Sequence, residues 1–355
     1  MRFNSGSFPI FSLAAILGFR RMLLTGCAAV LGACGGGVGG DEAATGPSDP
    51  AVAANWTPKL SAGMVLDPLA ASPAAIHSEY PSIHLDATGK THMLYAEFGA
   101  DRVWTLKDAI LVDPGSGVLK MQTTGALQWT SQPLHRGNTA WPHVTNHQGV
   151  YYLVYSAASE PGVAYNGLYL ARSNDGIRWT ETERIWSGIA LDPLLMPPEP
   201  GETMFKIYFT SRVEGDDRLL SITGQPGQSW GEPAVQVTER AEGTTGMYTL
   251  AGTRLDGKLM LLLEQGGSGW NRLELFCRID DAWAIVTDAP VAVGVPAPAR
   301  DAIRYGYWLP AVTSSGQGFS ALYNGVKSFG VESGGSILAA DMRLSVPAAK
   351  LSRCE

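Results

Sequence analysis

Charge is scarce in this chain. Of its 355 residues, 17% are Asp, Glu, Lys or Arg, and acids outnumber bases 33 to 26, for a net charge of −7. With no basic excess there is little to neutralise a phosphate backbone, so nucleic acid is not an expected partner. Long hydrophobic runs are missing as well. The apolar stretch "MLLTGCAAVLGA" (22–33) is twelve residues long, and a bilayer-spanning helix needs about twenty. There are four cysteines, and neither C-x-x-C nor H-E-x-x-H spacing occurs, so no metal and no cofactor are expected.

Small and turn-forming residues are abundant instead. Glycine (42) and proline (22) are frequent, and 45% of the chain is hydrophobic. That mixture favours many short strands joined by turns around a substantial core, in one large or two ordinary domains. The N-terminus reads as a targeting segment. Arg20-Arg21 precede the apolar stretch, and "LGAC" (31–34) resembles a bacterial lipobox, in which the cysteine, here Cys34, is lipidated and becomes the first residue. "LTGC", ending at Cys27, is a second match that leaves almost no apolar core, and Met22 is an alternative start. Residues 35–54 are small, polar and aperiodic, as a tether would be. The expectation is a signal over 1–34, a tether over 35–54 and a folded domain over 55–355, exported and lipid-anchored to the cell envelope. Cys277 and Cys354 remain, either as a disulfide formed in an oxidising compartment or as one buried and one frayed thiol.

A repeat organises the rest. "YLARSNDGIRWT" (169–180) is a strand, an Asp-Gly turn and a second strand opening on Trp179. Trp129, Trp179, Trp230 and Trp283 follow one another at steps of 50, 51 and 53 residues, and Trp56 is a fifth copy just after the tether. After each comes a proline or its substitute, then a glycine turn and an alternating strand, as in "WPHVTNHQGVYYLVYS" (141–156). The unit is four antiparallel strands in about fifty residues, five times: an all-β, five-bladed β-propeller. Since Trp56 lacks its preceding strands and the unit at Leu309 lacks a Trp strand, the N-terminal strand is expected to complete the last blade. The tryptophans are expected to pack between blades.

The positions beside the proline slot, Tyr80, Trp141, Asp192, Tyr248 and Leu309, are expected around the axis, with His77, Glu79 and His143 close by. Aromatic faces and carboxylates together suit a sugar. At these residues the chain resembles the five-bladed propeller glycoside hydrolases, namely the arabinanase/β-xylosidase family and, more distantly, the invertase/levansucrase family. "AWPHV…GVYYLVYS", "ALDPLLMPPEPGETMFKIYFT", "ARSNDGIRWT" and, more weakly, "AEGTTG" (241–246) carry the resemblance. It implies a general base on blade one, an orienting aspartate on blade three and a general acid on blade four.

Carried over by position, Asp192 matches the third-blade aspartate and Glu242 the fourth-blade glutamate. The first blade departs from the pattern, with Tyr80 where the aspartate belongs and Glu79 one residue away. Asp67, in "VLDPLAAS", matches a D-P pair with no hairpin after it. Tyr80, Trp141, His143, Tyr248 and Arg212 are expected to bind substrate, Arg212 through a sugar carboxylate. The expected function is a cell-envelope glycoside hydrolase with catalytic Asp192, Glu242 and Glu79. The alternative is a silent relative that binds glycan or scaffolds envelope proteins. Carbohydrate is the expected partner, the membrane is touched through the lipid alone, and the chain is expected to be a monomer.

Overall fold

The computed structural model describes residues 56–58, 75–112, 120–244, 246–255, 257–267, 270–288, 292–294, 305–315, 318–326, 335–343 and 346–355. The expected signal and tether, with Cys34, and also Asp67 lie outside the described residues. Strand β1 is Trp56–Pro58. Four strands follow: β2 (Ala75–Leu85), β3 (Thr91–Gly99), β4 (Trp104–Val112) and β5 (Lys120–Ala126). Next come β6 (Gln128–Trp129), β7 (Thr139–His147), β8 (Val150–Ala157), β9 (Gly167–Ser173) and β10 (Arg178–Trp186). The third group is β11 (Leu191–Met196), β12 (Phe205–Val213), β13 (Asp216–Gly224) and β14 (Ala234–Val235). The fourth is β15 (Gly246–Leu255), β16 (Lys258–Gly267), β17 (Trp270–Ile279), β18 (Ala282–Ile285) and β19 (Ala292–Gly294). Strands β20 (Tyr305–Ser315), β21 (Gly318–Val326) and β22 (Gly335–Arg343) complete the series, ahead of a short helix α1 (Ala348–Leu351).

These strands form an all-β propeller of antiparallel meanders. The strands that open successive meanders, β2, β7, β11, β15 and β20, contact one another in turn and are termed the inner strands. Four hydrogen-bonded sheets are present among the described residues rather than five separate ones. One of them has eight strands, because a single parallel pairing of His77 with Gly335 joins β2 to β22. Strand β1 pairs antiparallel with β22, Trp56 opposite Met342. Inner strand packs on inner strand: β2 on β7, β7 on β11, β11 on β15, β15 on β20 and β20 on β2.

A single sheet cannot bury both faces, so the core lies between neighbours. One cluster joins Leu94, Leu106 and Trp104 to Tyr155, Tyr169 and Trp179. A second joins Val154, Leu168 and Leu170 to Phe205, Ile207 and Phe209, and a third joins Tyr208 and Leu219 to Leu261, Phe276 and Trp283. Trp179 and Trp283 are therefore packing residues, as the repeat implies. Trp129 behaves differently from its counterparts. Its short strand pairs in parallel with the next sheet's outer strand, Trp129 opposite Trp179, and the same hook recurs where Thr238 bridges Trp283.

The opening hairpin of the repeat is a turn with Gly176 at φ +79°, where a Cβ would also press on the Tyr151 ring and on Asp86 Cα. At the other end of the chain Cys277 and Cys354 form a disulfide. With the ion pairs Arg353–Asp280 and Arg278–Glu355, it straps the C-terminal tail to β17.

Candidate functional site

The residues beside the proline slot share an unusual backbone. Tyr80, Trp141 and Asp192 sit at φ values of 61°, 55° and 50°. Each occupies a bulge in its inner strand, where two residues oppose one on the neighbouring strand. The left-handed region costs a side chain with a Cβ roughly 1–2 kcal/mol. A bulge re-aims the side chain that it carries. Strand β15 has the same bulge around Tyr248, and in β20 three residues, Leu309 among them, oppose one. Three successive inner strands thus present a tyrosine, a tryptophan and a carboxylate at equivalent points, each about 5–6% exposed.

The two rings belong to a longer row. Phe98 lies 5.1 Å from Trp104, Trp104 5.7 Å from Tyr80, Tyr80 5.1 Å from Trp141, and Trp141 4.7 Å from Tyr165. Phe98 is the penultimate residue of β3, Trp104 opens β4 and Tyr165 comes from the loop before β9. Sequence reasoning did not single these three out: Phe98 closes the first copy of the motif, and Trp104 and Tyr165 lie outside it. Among the described residues nothing accepts from the buried Trp141 Nε1. Asn138 Oδ1 takes the Trp104 amide at 2.9 Å, which pins the start of β4 beside β7.

The other expected residues fall at different points. Glu79 is buried on β2, opposite Ala96 and one residue before the bulge. Glu242 is exposed in a turn before β15. Gln265 holds that turn by accepting from the Ala241 amide (2.8 Å) and Thr244 Oγ1 (3.1 Å). Tyr248 lies in β15 between Met247 and Leu250. Arg212 gives its Nε to Gly215 O at 3.0 Å and stands 3.9 Å from Asp217.

His143 joins two inner strands. Its Nδ1 accepts the Leu195 amide of β11 at 3.2 Å, so Nε2 carries the proton, and burial holds its pKa down at about 4. One sheet earlier Ser82 Oγ accepts the Val144 amide at 3.0 Å, the same device with a smaller side chain. A carboxylate not singled out from sequence, Glu264, is buried opposite the β15 bulge. Its only sequence signal is an acid closing the apolar run "LMLLLE".

Two polar centres lie away from the inner strands. His92 faces Asp108 through Nδ1 (3.0 Å) and Asp86 through Nε2 (3.3 Å), and the Asp108 carboxylate raises its pKa. His135 Nδ1 meets Glu181 at 2.8 Å, and Tyr155 Oη and the Leu134 amide donate to the same carboxylate. Among the described residues no three His, Cys, Asp or Glu side chains gather closely enough to hold a metal ion.

The sequence matches no family model and no curated protein. Solved structures resemble it in fold. A β-1,2-mannobiose phosphorylase from Listeria innocua, in complex with β-1,2-mannobiose, has a TM-score of 0.62 at 12% identity, over 84% of this chain and 98% of its own. An α-L-arabinofuranosidase from Podospora anserina, in complex with cellotriose, has a TM-score of 0.62 at 14% identity, over 82% of this chain and 97% of its own. A family 117 glycoside hydrolase from Zobellia galactanivorans has a TM-score of 0.52 at 12% identity, over 77% of this chain and 86% of its own. At such identities the likeness establishes the fold, a propeller of the kind that carbohydrate-active enzymes use, and leaves function to the site.

Proposed function

We propose that this protein is a carbohydrate-binding propeller of the glycoside-hydrolase type, holding a poly- or oligosaccharide where Tyr80, Trp141 and Asp192 stand. One observation carries the reading: an aromatic, an aromatic and a carboxylate, each in the left-handed region, recur at the same bulge of three successive inner strands. Rings stack on the C–H faces of a sugar, and a carboxylate accepts from its hydroxyls. The neighbours in fold crystallised with mannobiose and cellotriose agree with this ligand class. The test is glycan-array binding. Trp141→Ala and Asp192→Asn are expected to weaken binding about tenfold or more each; unchanged binding in both refutes the assignment.

Hydrolysis is the second reading, favoured by the third-strand "L-D-P" and by two further carboxylates. Asp192 orients the sugar, and Glu79 and Glu242 serve as base and acid. Two carboxyl groups about 5–9.5 Å apart are required, and the exposed turn holding Glu242 must fold inward for it to take part. Release of sugar from arabinan, xylan, fructan or aryl-glycosides, lost in Asp192→Asn, supports catalysis; binding without release leaves a lectin-like relative.

We further infer five blades, the last closed by β1. The closed circuit of inner-strand packing and the β1–β22 pairing support this. Deleting the chain through Pro58 is expected to lower Tm by several degrees, and an unchanged Tm tells against closure. Export with lipidation at Cys34 is the matching cellular reading, supported by the Cys277–Cys354 disulfide, which needs an oxidising compartment. Cys34→Ser is expected to abolish palmitate labelling in cells.

A further inference from the structure

A concave feature lies between the third and fourth groups of strands. It is a cleft of about 320 Å³, bounded by the start of β13, the segment 235–240 and the start of β15. That volume is at the lower end for small-molecule sites and sufficient for one sugar ring. Leu219 and Met247 give it an apolar floor, and Val237, 69% exposed, stands at its rim.

Its polar groups are unevenly committed. Arg240 Nη2 donates to Asp216 at 2.9 Å and to Asp217 O at 3.0 Å, leaving Nε and Nη1 outside those bonds. Arg218 Nε is buried, makes no hydrogen bond among the described residues, and reaches only an ion-pair distance of 3.6 Å from Asp216. Gln236 spends its side-chain N–H groups on Ser221 Oγ (2.9 Å) and Ala234 O (3.2 Å), which leaves its carbonyl oxygen as an acceptor. Two guanidinium groups therefore share one lining carboxylate, Asp216, with Asp217 as the next acid near Arg240.

We propose that this cleft binds a hexuronate, free or as a residue of an acidic saccharide. Arg218 and Arg240 take the sugar carboxylate as a charge-assisted pair. Leu219 and Met247 meet the C–H face of the ring, and Asp216 and the Gln236 carbonyl accept from its hydroxyls. A purely anionic ligand has no use for the last two groups; a neutral sugar can accept from the guanidinium groups but brings no charge to pair with theirs. The site shares no residue with Tyr80, Trp141 and Asp192 and stands whether or not those residues bind saccharide.

Titration of the full chain with D-glucuronate, D-glucose and N-acetylglycine, followed by NMR or calorimetry, tests it. Saturable glucuronate binding is expected, with glucose binding absent at the cleft. Arg218→Gln is expected to weaken glucuronate about tenfold or more, the loss of one charge-assisted contact. Val237→Asp adds a repelling charge on an exposed side chain and keeps the backbone carbonyl that accepts the Trp283 amide, so it reports on binding even where an arginine variant misfolds. Glucuronate binding that persists in Asp192→Asn separates this cleft from the inner-strand site. Failure of the parent protein to bind glucuronate, equally tight N-acetylglycine, or binding untouched by both cleft substitutions overturns the assignment.

Discussion

A tyrosine, a tryptophan and an aspartate in left-handed backbone are a standing cost, and their recurrence at one bulge is why they are read as a site. The cost is measurable without reference to ligand. Asp192→Ala and Asp192→Gly both delete the carboxylate, but only alanine carries a Cβ into the left-handed region. The glycine variant is expected to be more stable by roughly 0.5–1 kcal/mol in urea unfolding. His143 supplies a pH prediction. Its folded pKa, about 4, lies below the ordinary histidine value of 6.5, because burial disfavours the imidazolium. The unfolded state binds the proton more readily, so this contribution is complete above pH 6.5 and is lost as pH falls toward 4. Gln at this position keeps an acceptor for the Leu195 amide. His143→Gln is therefore expected to flatten the urea-midpoint profile between pH 4 and 6.5.

Hairpins and the contacts between them set the next scale. The turn at Gly176 meets the first group of strands directly: the Ala87 amide donates to Asp175 O at 3.0 Å and His84 Nε2 to Gly176 O at 2.7 Å. Gly176→Ala combines a positive φ with contacts of 3.2 Å to Tyr151 and 3.3 Å to Asp86, so a loss of about 1–3 kcal/mol is expected. Close by, His92 spans the carboxylates of β4 and the 86–89 turn. His92→Leu leaves Asp108 and Asp86 facing one another without the hydrogen-bond donor between them, and about 1–3 kcal/mol of destabilisation is expected, largest below the ordinary histidine value. The sign opposes that of His143. The Asp108 hydrogen bond raises the His92 pKa, so its contribution is complete below the ordinary histidine value and declines as pH rises through the raised one.

Across the whole molecule the ends of the chain carry unusual weight. The Cys277–Cys354 disulfide closes a separation of 77 residues and ties the tail to β17, which the Lys258 contact with Cys354 O reinforces. Cys354→Ser is expected to cost about 2–4 kcal/mol and to expose the tail to proteolysis first. A variant with unchanged stability and an unchanged digestion pattern shows that the strap is dispensable.

Local pattern was enough for the strands and turns. Period-two alternation, glycine at the hairpins and tryptophan about every fifty residues each report on a few neighbouring residues, and the pre-proline positions singled out this way are the bulged ones. Partnership was beyond that pattern. Phe98, Trp104 and Tyr165 join Tyr80 and Trp141 only because turns and strand ends from two sheets meet. Trp129 hooks onto the next sheet rather than its own. Cys277 lies beside Cys354, and Arg218 beside Arg240, across gaps that leave no trace in spacing. Such contacts depend on how twisted sheets pack face against face, and only the folded chain brings those faces together.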